Sequence, residues 1–140
     1  MTAGYSRRSL VQKLGVKEGT RLVALGAPPN YRSLLGPLPS GAGIHGRLPA
    51  SCDFIHKFAR GRAELAREFS RLAGALTDDG SLWISWPKRS GGVATDLDEN
   101  VVRQLGLAEG LVDVKVCAVD ETWSGLKFVR RLVNRATRSK

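Results

Sequence analysis

The chain is poor in the residues from which small reactive sites are usually built. Cys52 and Cys117 are its two cysteines in 140 residues. They are too few for a disulfide framework and match no metal-ligand spacing. Both lie in apolar runs, so buried reduced thiols are expected. Of the two histidines, His45 has no evident partner, and His56 sits mid-strand between Ile55 and Lys57, as core histidines do. No Ser/His/Asp spacing, G-x-S-x-G elbow, H-E-x-x-H or phosphate loop is present, so no catalytic residue can be named, and metal ligation has no support. Residues 1–15, "MTAGYSRRSLVQKLG", lack the apolar run of roughly 7–15 residues of a secretion signal. No stretch approaches the roughly 20 apolar residues of a membrane span. A cytoplasmic protein with no membrane partner is the expectation.

What is present is ordinary in amount and uneven in placement. Hydrophobic residues make up 42% and charged residues 25%, as in globular domains, and the length suits one domain. The net charge is +9. Residues 127–140 hold six cations and no acid, whereas residues 96–126 hold seven acids against Arg103 and Lys115. A basic surface favours encounters with polyanions, so nucleic acid is one partner to consider; solubility is the plainer reason for it.

Along the chain, Ser9 before Leu10, Val11 and Leu14, with Gly15 after, reads as a short capped helix. "RLVAL" is a strand over 21–26, and "NYRSLLGPL" allows one or two helical turns. "GAGIHGRL" is a weak strand thinned by three glycines, and "CDFIHKFA" (52–59) a better one. Next, Leu65, Phe69, Leu72 and Leu76 recur at helical spacing, with Glu64, Arg67, Glu68 and Arg71 on the solvated side. "TDDG" is expected to end that helix before the strand "SLWISW". Thr95 and Asp98 are spaced as an approximate capping box before Leu97, Val101 and Leu105. "LVDVKVCAVD" and "LKFVRRLVN" follow as strands joined by "ETWSG".

Strands separated by helices imply a mainly parallel sheet, and the short last connection implies an antiparallel hairpin. The expected architecture is a single α/β domain over 1–133, with a basic tail at 134–140. A parallel sheet ending in such a hairpin resembles the Rossmann-like methyltransferase fold in shortened form. One helix–strand–helix stretch is missing before "CDFIHKFA".

Ligands of open α/β sheets bind outside the carboxyl ends of the strands. The loops expected there are "GAPPNY" (26–31), "WPKRSGG" (86–92) and "DETWSG" (120–125). In the first, Gly26 allows close approach, but Pro28 and Pro29 remove two amide donors that a phosphate cradle would use. The methyltransferase likeness implies S-adenosylmethionine held by an acid after the second strand, yet "HGRLPAS" has none, so this cofactor is disfavoured. Lys88 and Arg89 before Ser90-Gly91-Gly92 suit a small anion, or else a solvated loop. Trp83 is expected in the core, and Trp86, on the opposite face, at the rim where it could stack on a ligand. Asp120 and Glu121 could act as a base, bind a cation, or pair with Lys88 and Arg89 across the rim. Tyr31 and Trp123 complete the candidate rim. The final strand, "LKFVRRLVN", places Lys127 outward and Phe128 inward, and its arginines would guard a sheet edge.

"LGAPPNY", "LWISWPKRSGGVATDL" and "GLVDVKVCAVDETWSGLKFV" closely resemble a bacterial family of small proteins, catalogued as domain of unknown function 3052. The likeness covers nearly the whole chain. It implies membership and brings no residue roles with it. The reading of the residues is therefore a non-catalytic or regulatory binding module whose rim accepts a small anionic ligand or a partner protein. The alternatives are an enzyme of methyltransferase-like ancestry with an altered cofactor site and a weak nucleic-acid binder acting through the basic surface.

Overall fold

A computed structural model describes residues 9–131; the basic tail expected at 134–140 lies outside the described residues. Ser9 caps α1 (Leu10–Leu14) in a capping box with Gln12, and Gly15 closes it in the left-handed region. Then come β1 (Arg21–Leu25), α2 (Tyr31–Leu35), β2 (Gly43–His45), β3 (Cys52–Phe58) and α3 (Arg62–Ala75). β4 (Leu76–Pro87), a 3-10 turn (Arg89–Gly91), α4 (Glu99–Ala108), β5 (Leu111–Ala118) and β6 (Trp123–Arg130) complete the domain.

The six strands form one sheet in the order β2-β1-β3-β4-β6-β5. β2, β1, β3 and β4 pair in parallel, while β6 runs antiparallel to both β4 and β5. This is the α/β domain expected, a mainly parallel sheet with an antiparallel hairpin at its end. Alternation of strand side chains supplies two apolar faces. Leu22, Phe54, Phe58 and Trp83 pack under α1 and α2, with the indole N–H of Trp83 donating to the Leu14 carbonyl at 3.0 Å. Ile55, Leu82, Ile84 and Phe128 pack under α3 and α4, where Phe69 meets Phe128 edge-on at 5.7 Å.

Four local expectations change. "TDDG" does not end α3 as a turn. The chain passes from Ala75 straight into β4, and a register shift between Cys52 and Phe54 absorbs the extra residues. Arg130 makes that abrupt junction possible. It is buried, and its guanidinium donates to the carbonyls of Leu76 and Ala73 where α3 ends, the latter also accepting the Leu76 amide. Asp98 alone caps α4, through Val101 N–H at 2.8 Å, while the Thr95 hydroxyl donates to the Arg60 carbonyl instead. Finally, β6 is not an edge strand. It lies between β4 and β5, so β5 is the edge; of the β6 cations Arg130 is buried and Lys127 half-buried.

Candidate functional site

Connections leave β1 toward β2 on one side and return to β3 on the other. The carboxyl ends of β1 and β3 therefore flank the switch point where sheets of this type open a crevice. A loop overlooked in the sequence occupies it. Arg60, just after β3, donates to the Gly26 carbonyl at 3.4 Å and lies over the Trp123 ring, 5.0 Å from its centroid. One side chain thus ties the loop after β1 to the β5–β6 turn. The sequence signal was the same rule used for the other loops: residues 59–61 also follow a parallel strand.

Gly26 is exposed with φ +68°, and a Cβ there would stand 2.8 Å from the Phe58 carbonyl oxygen. Only glycine lets the loop pass so close over β3. Beneath it lies the ammonium of Lys57, a buried residue absent from the candidate rim. Lys57 pairs with Glu68 at 2.7 Å and Glu64 at 3.2 Å, so these two glutamates of α3 are half-buried partners rather than solvated charges. Burial works against the Glu64 carboxylate. Hydrogen bonds from the Arg60 amide and Lys57 outweigh it and hold its pKa below the ordinary value.

Three candidate rim aromatics belong to the core. Tyr31 is 5% exposed, and its hydroxyl lies 2.8 Å from Nδ1 of His56. Nε2 of His56 lies 2.7 Å from the Ser85 hydroxyl. Burial drives the His56 pKa down to about 3 and pushes the Tyr31 phenol up. A neutral imidazole donates from one nitrogen and accepts at the other, so this chain satisfies all three groups. Trp86, 5% exposed, packs into the cluster beneath α3 and α4 and cannot stack on a ligand. Trp123 is 6% exposed, its ring edge-on to Phe58 at 5.0 Å. Rim position along a strand did not reveal that helices cover both faces there.

The charged candidates are arranged differently from the pairing considered for them. The ion pairs among the described residues are those of Lys57, Arg103 and Arg130, and none joins Lys88 or Arg89 to Asp120 or Glu121. Asp120 instead accepts the amides of Thr122 and Trp123, each at 2.8 Å, and shapes the turn. The backbone locks the loops: Lys88 N–H donates to the Thr122 carbonyl at 2.7 Å. Arg89 is exposed on the 3-10 turn, and Pro28 and Pro29 sit on the loop before α2.

A cleft of about 540 Å³ opens beside these loops, on the face of the sheet that carries α1. Ser9, Leu10 and Lys13 of the α1 segment line one side, and Lys88 with residues 118–122 the other. Of the candidate residues it brings together Lys88, Asp120 and Glu121; Gly26, Pro28, Pro29, Tyr31, Trp86, Arg89 and Trp123 do not line it. Cys117 lies next to it, half-buried rather than buried and with a free thiol. Burial raises that thiol's pKa, while Lys13, Lys115 and Lys88 pull it back. No group of three or more potential metal ligands occurs among the described residues, and no described helix is long and apolar enough to cross a membrane.

No family model and no curated protein matches the chain. Solved structures do. A SAM-dependent methyltransferase from Aquifex aeolicus aligns with a TM-score of 0.58 at 13% identity, over 85% of this chain and 86% of that one. Magnesium protoporphyrin IX methyltransferase from Synechocystis PCC 6803, with bound SAH, aligns at 0.55 and 12% identity, over 87% of this chain and 78% of that one. The B. subtilis tRNA methyltransferase TrmK aligns at 0.57 and 14%, over 93% and 68%. At such identities the likeness extends to the fold: this chain has the Rossmann-like architecture of the SAM-dependent methyltransferases.

Proposed function

We propose that the chain is a non-catalytic binding module of methyltransferase-like ancestry that takes a small anionic ligand in the cleft between α1 and the β5–β6 turn. The observation that carries this is the cleft itself, with Lys13 and Lys88 facing each other across it and Lys115 nearby. Ammonium groups in a partly desolvated cleft attract phosphate or carboxylate more strongly than they would in open water. Two segments that resemble the domain of unknown function 3052 family, "SWPK" and "DETWSG", supply Lys88 and residues 120–122 of the wall. Membership in that family is part of the same proposal.

The residues do not fit S-adenosylmethionine at the switch point. Pro28 and Pro29 offer no amide donors, residues 45–51 after β2 contain no carboxylate, and Arg60 lies across the crevice from Gly26 to Trp123. His56 and Tyr31 are spent on one another inside the core. No proton-transfer role is open to them in this arrangement.

A thermal-shift series with nucleotides, coenzyme A and S-adenosylmethionine at millimolar concentration tests this reading. A ligand at a hundred times its Kd stabilises by about 2.7 kcal/mol, and Lys13→Gln with Lys88→Gln should abolish that shift. The absence of a shift with every anion would end the cleft proposal. A shift with S-adenosylmethionine that survives both substitutions would favour the enzyme alternative.

A further inference from the structure

Lys115 on β5 and Lys127 on β6 are register partners, directly opposite each other on adjacent strands. Like charges placed this way destabilise a sheet, and here nothing offsets them. Among the described residues no carboxylate pairs with Lys17, Lys115 or Lys127. The one acid of β5, Asp113, points to the other face and pairs with Arg103 of α4 at 3.0 Å. Glu18, beside Lys17 in sequence, forms no ion pair with them either.

All these lysines share the face that carries α1. Lys127 pairs with Trp83, whose indole reaches the Leu14 carbonyl, and the Lys115 ammonium donates to the Lys13 carbonyl at 3.3 Å. Lys127 is half-buried. Burial, then Lys115 and Lys17, lower its pKa. From this cluster, β4 runs four residues from Trp83 to Pro87, and Lys88 follows at the rim. At a rise of about 3.3 Å per residue the five steps from Trp83 to Lys88 extend the lysines over roughly 16 Å. A small ligand would fill a point; this is a line of charge. It matches several successive phosphates of a nucleic-acid strand rather than the single charged centre of a small anion.

We propose that the face of the β5–β6 hairpin turned toward α1 binds the phosphate backbone of a nucleic-acid strand, with Lys17, Lys115 and Lys127 as its principal contacts. The three lysines lie outside the rim cleft, and the line of charge they begin ends at Lys88 in the cleft wall. Recognition is independent of base sequence, because Trp83 and Trp123 of that face are buried and offer no stacking platform. A membrane surface would need apolar side chains to insert beside the cations. Of the exposed large apolar residues among those described, Val116 pairs with core-facing Leu126 and so lies on the opposite face. Val114 sits at a register shift and Val93 in the loop before α4.

The test is fluorescence anisotropy of the full chain with labelled single-stranded DNA and RNA of about 16 nucleotides, the upper end of a single-fold site, over a salt series. Binding at low salt should weaken at least tenfold in the triple variant Lys17→Gln, Lys115→Gln, Lys127→Gln. The salt slope should fall by about 2. The melting temperature of that variant should stay level or rise, because a repulsion has been removed. Neutralising the tail instead, with Arg135→Gln, Arg138→Gln and Lys140→Gln, should preserve most of the binding. Equal affinity of the triple variant and the wild type would overturn the proposal. So would binding lost only with the tail, or a triple variant that melts lower as it binds less. Association with anionic phospholipid vesicles but not with either strand would also overturn it.

Discussion

The hydroxyl of Tyr31 stands 2.8 Å from Nδ1 of His56, joining the first residue of α2 to the middle of β3 beneath the rim of the sheet. With Ser85 of β4 on the other imidazole nitrogen, the contact links three elements by one polar chain inside an apolar layer. A buried polar group left unsatisfied costs on the order of 1–3 kcal/mol, so the three groups are mutually required. The chain fixes where α2 sits, and through it the loop that carries Pro28 and Pro29.

The buried imidazole makes stability depend on pH in a predictable direction. His56 has its pKa lowered from 6.5 to about 3 in the folded state, so the unfolded chain binds the extra proton between those values. Stability is then fully present above pH 6.5 and is lost as pH falls toward 3, with a slope approaching about 1.4 kcal/mol per unit. Urea unfolding from pH 5 to 7 should show the decline, and His56→Gln should flatten it while lowering stability overall. An unchanged slope in the variant would show that another group carries the dependence.

Gly106 of α4 faces the ring of Phe128 so closely that a methyl group would collide with it. The Phe128 ring is itself held by Phe69. Gly106→Ala should therefore destabilise by overpacking, by about 1–3 kcal/mol, although alanine favours helix. Adding Phe128→Leu should recover part of the loss in a double-mutant cycle of urea midpoints. Additive losses would mean that the ring and the helix are not in contact.

Arg130 is the stopper of the α3–β4 junction. Arg130→Met would remove the arginine donor from the Leu76 carbonyl and leave the Ala73 carbonyl only the Leu76 amide, at about 1–3 kcal/mol for a buried group left unsatisfied. Arg130→Lys should restore little, because one ammonium cannot reproduce a planar fork. Chemical denaturation of both variants checks this, and a lysine variant as stable as wild type would refute the capping role.

Element order, the hairpin and the helix cap at Ser9 were legible because each rests on local chemistry: periodicity, a capping side chain, a short connection. What was not legible depends on what lies opposite. Trp86 and Tyr31 occupy rim positions in sequence, but whether a rim residue is bare depends on helices placed by distant contacts. Arg130 read as a guard of a sheet edge because the order β4-β6-β5 cannot be inferred from the hairpin alone. Arg60, in "ARGRAEL", resembles any solvated helix start, and only the approach of Gly26 and Trp123 gives it a role. The rim loops themselves converge as their positions after parallel strands require.

Arg60 supplies the last prediction, since the crevice at the switch point is closed by a side chain that the fold does not need. It is exposed, and a cation over an aromatic ring at an exposed site is worth only about 0.5–1 kcal/mol. Arg60→Ala should thus leave the melting temperature nearly unchanged while uncovering one face of Trp123. Trp83 and Trp86 are buried in separate clusters and give a constant background. Acrylamide quenching of tryptophan fluorescence should rise in Arg60→Ala, and a Trp123→Phe background should abolish the increase. If quenching does not change, Arg60 does not cover the ring in solution, and the crevice between β1 and β3 is already open to ligands. If quenching rises and S-adenosylmethionine then stabilises the variant but not the wild type, the arginine is what separates this chain from the cofactor chemistry of its fold.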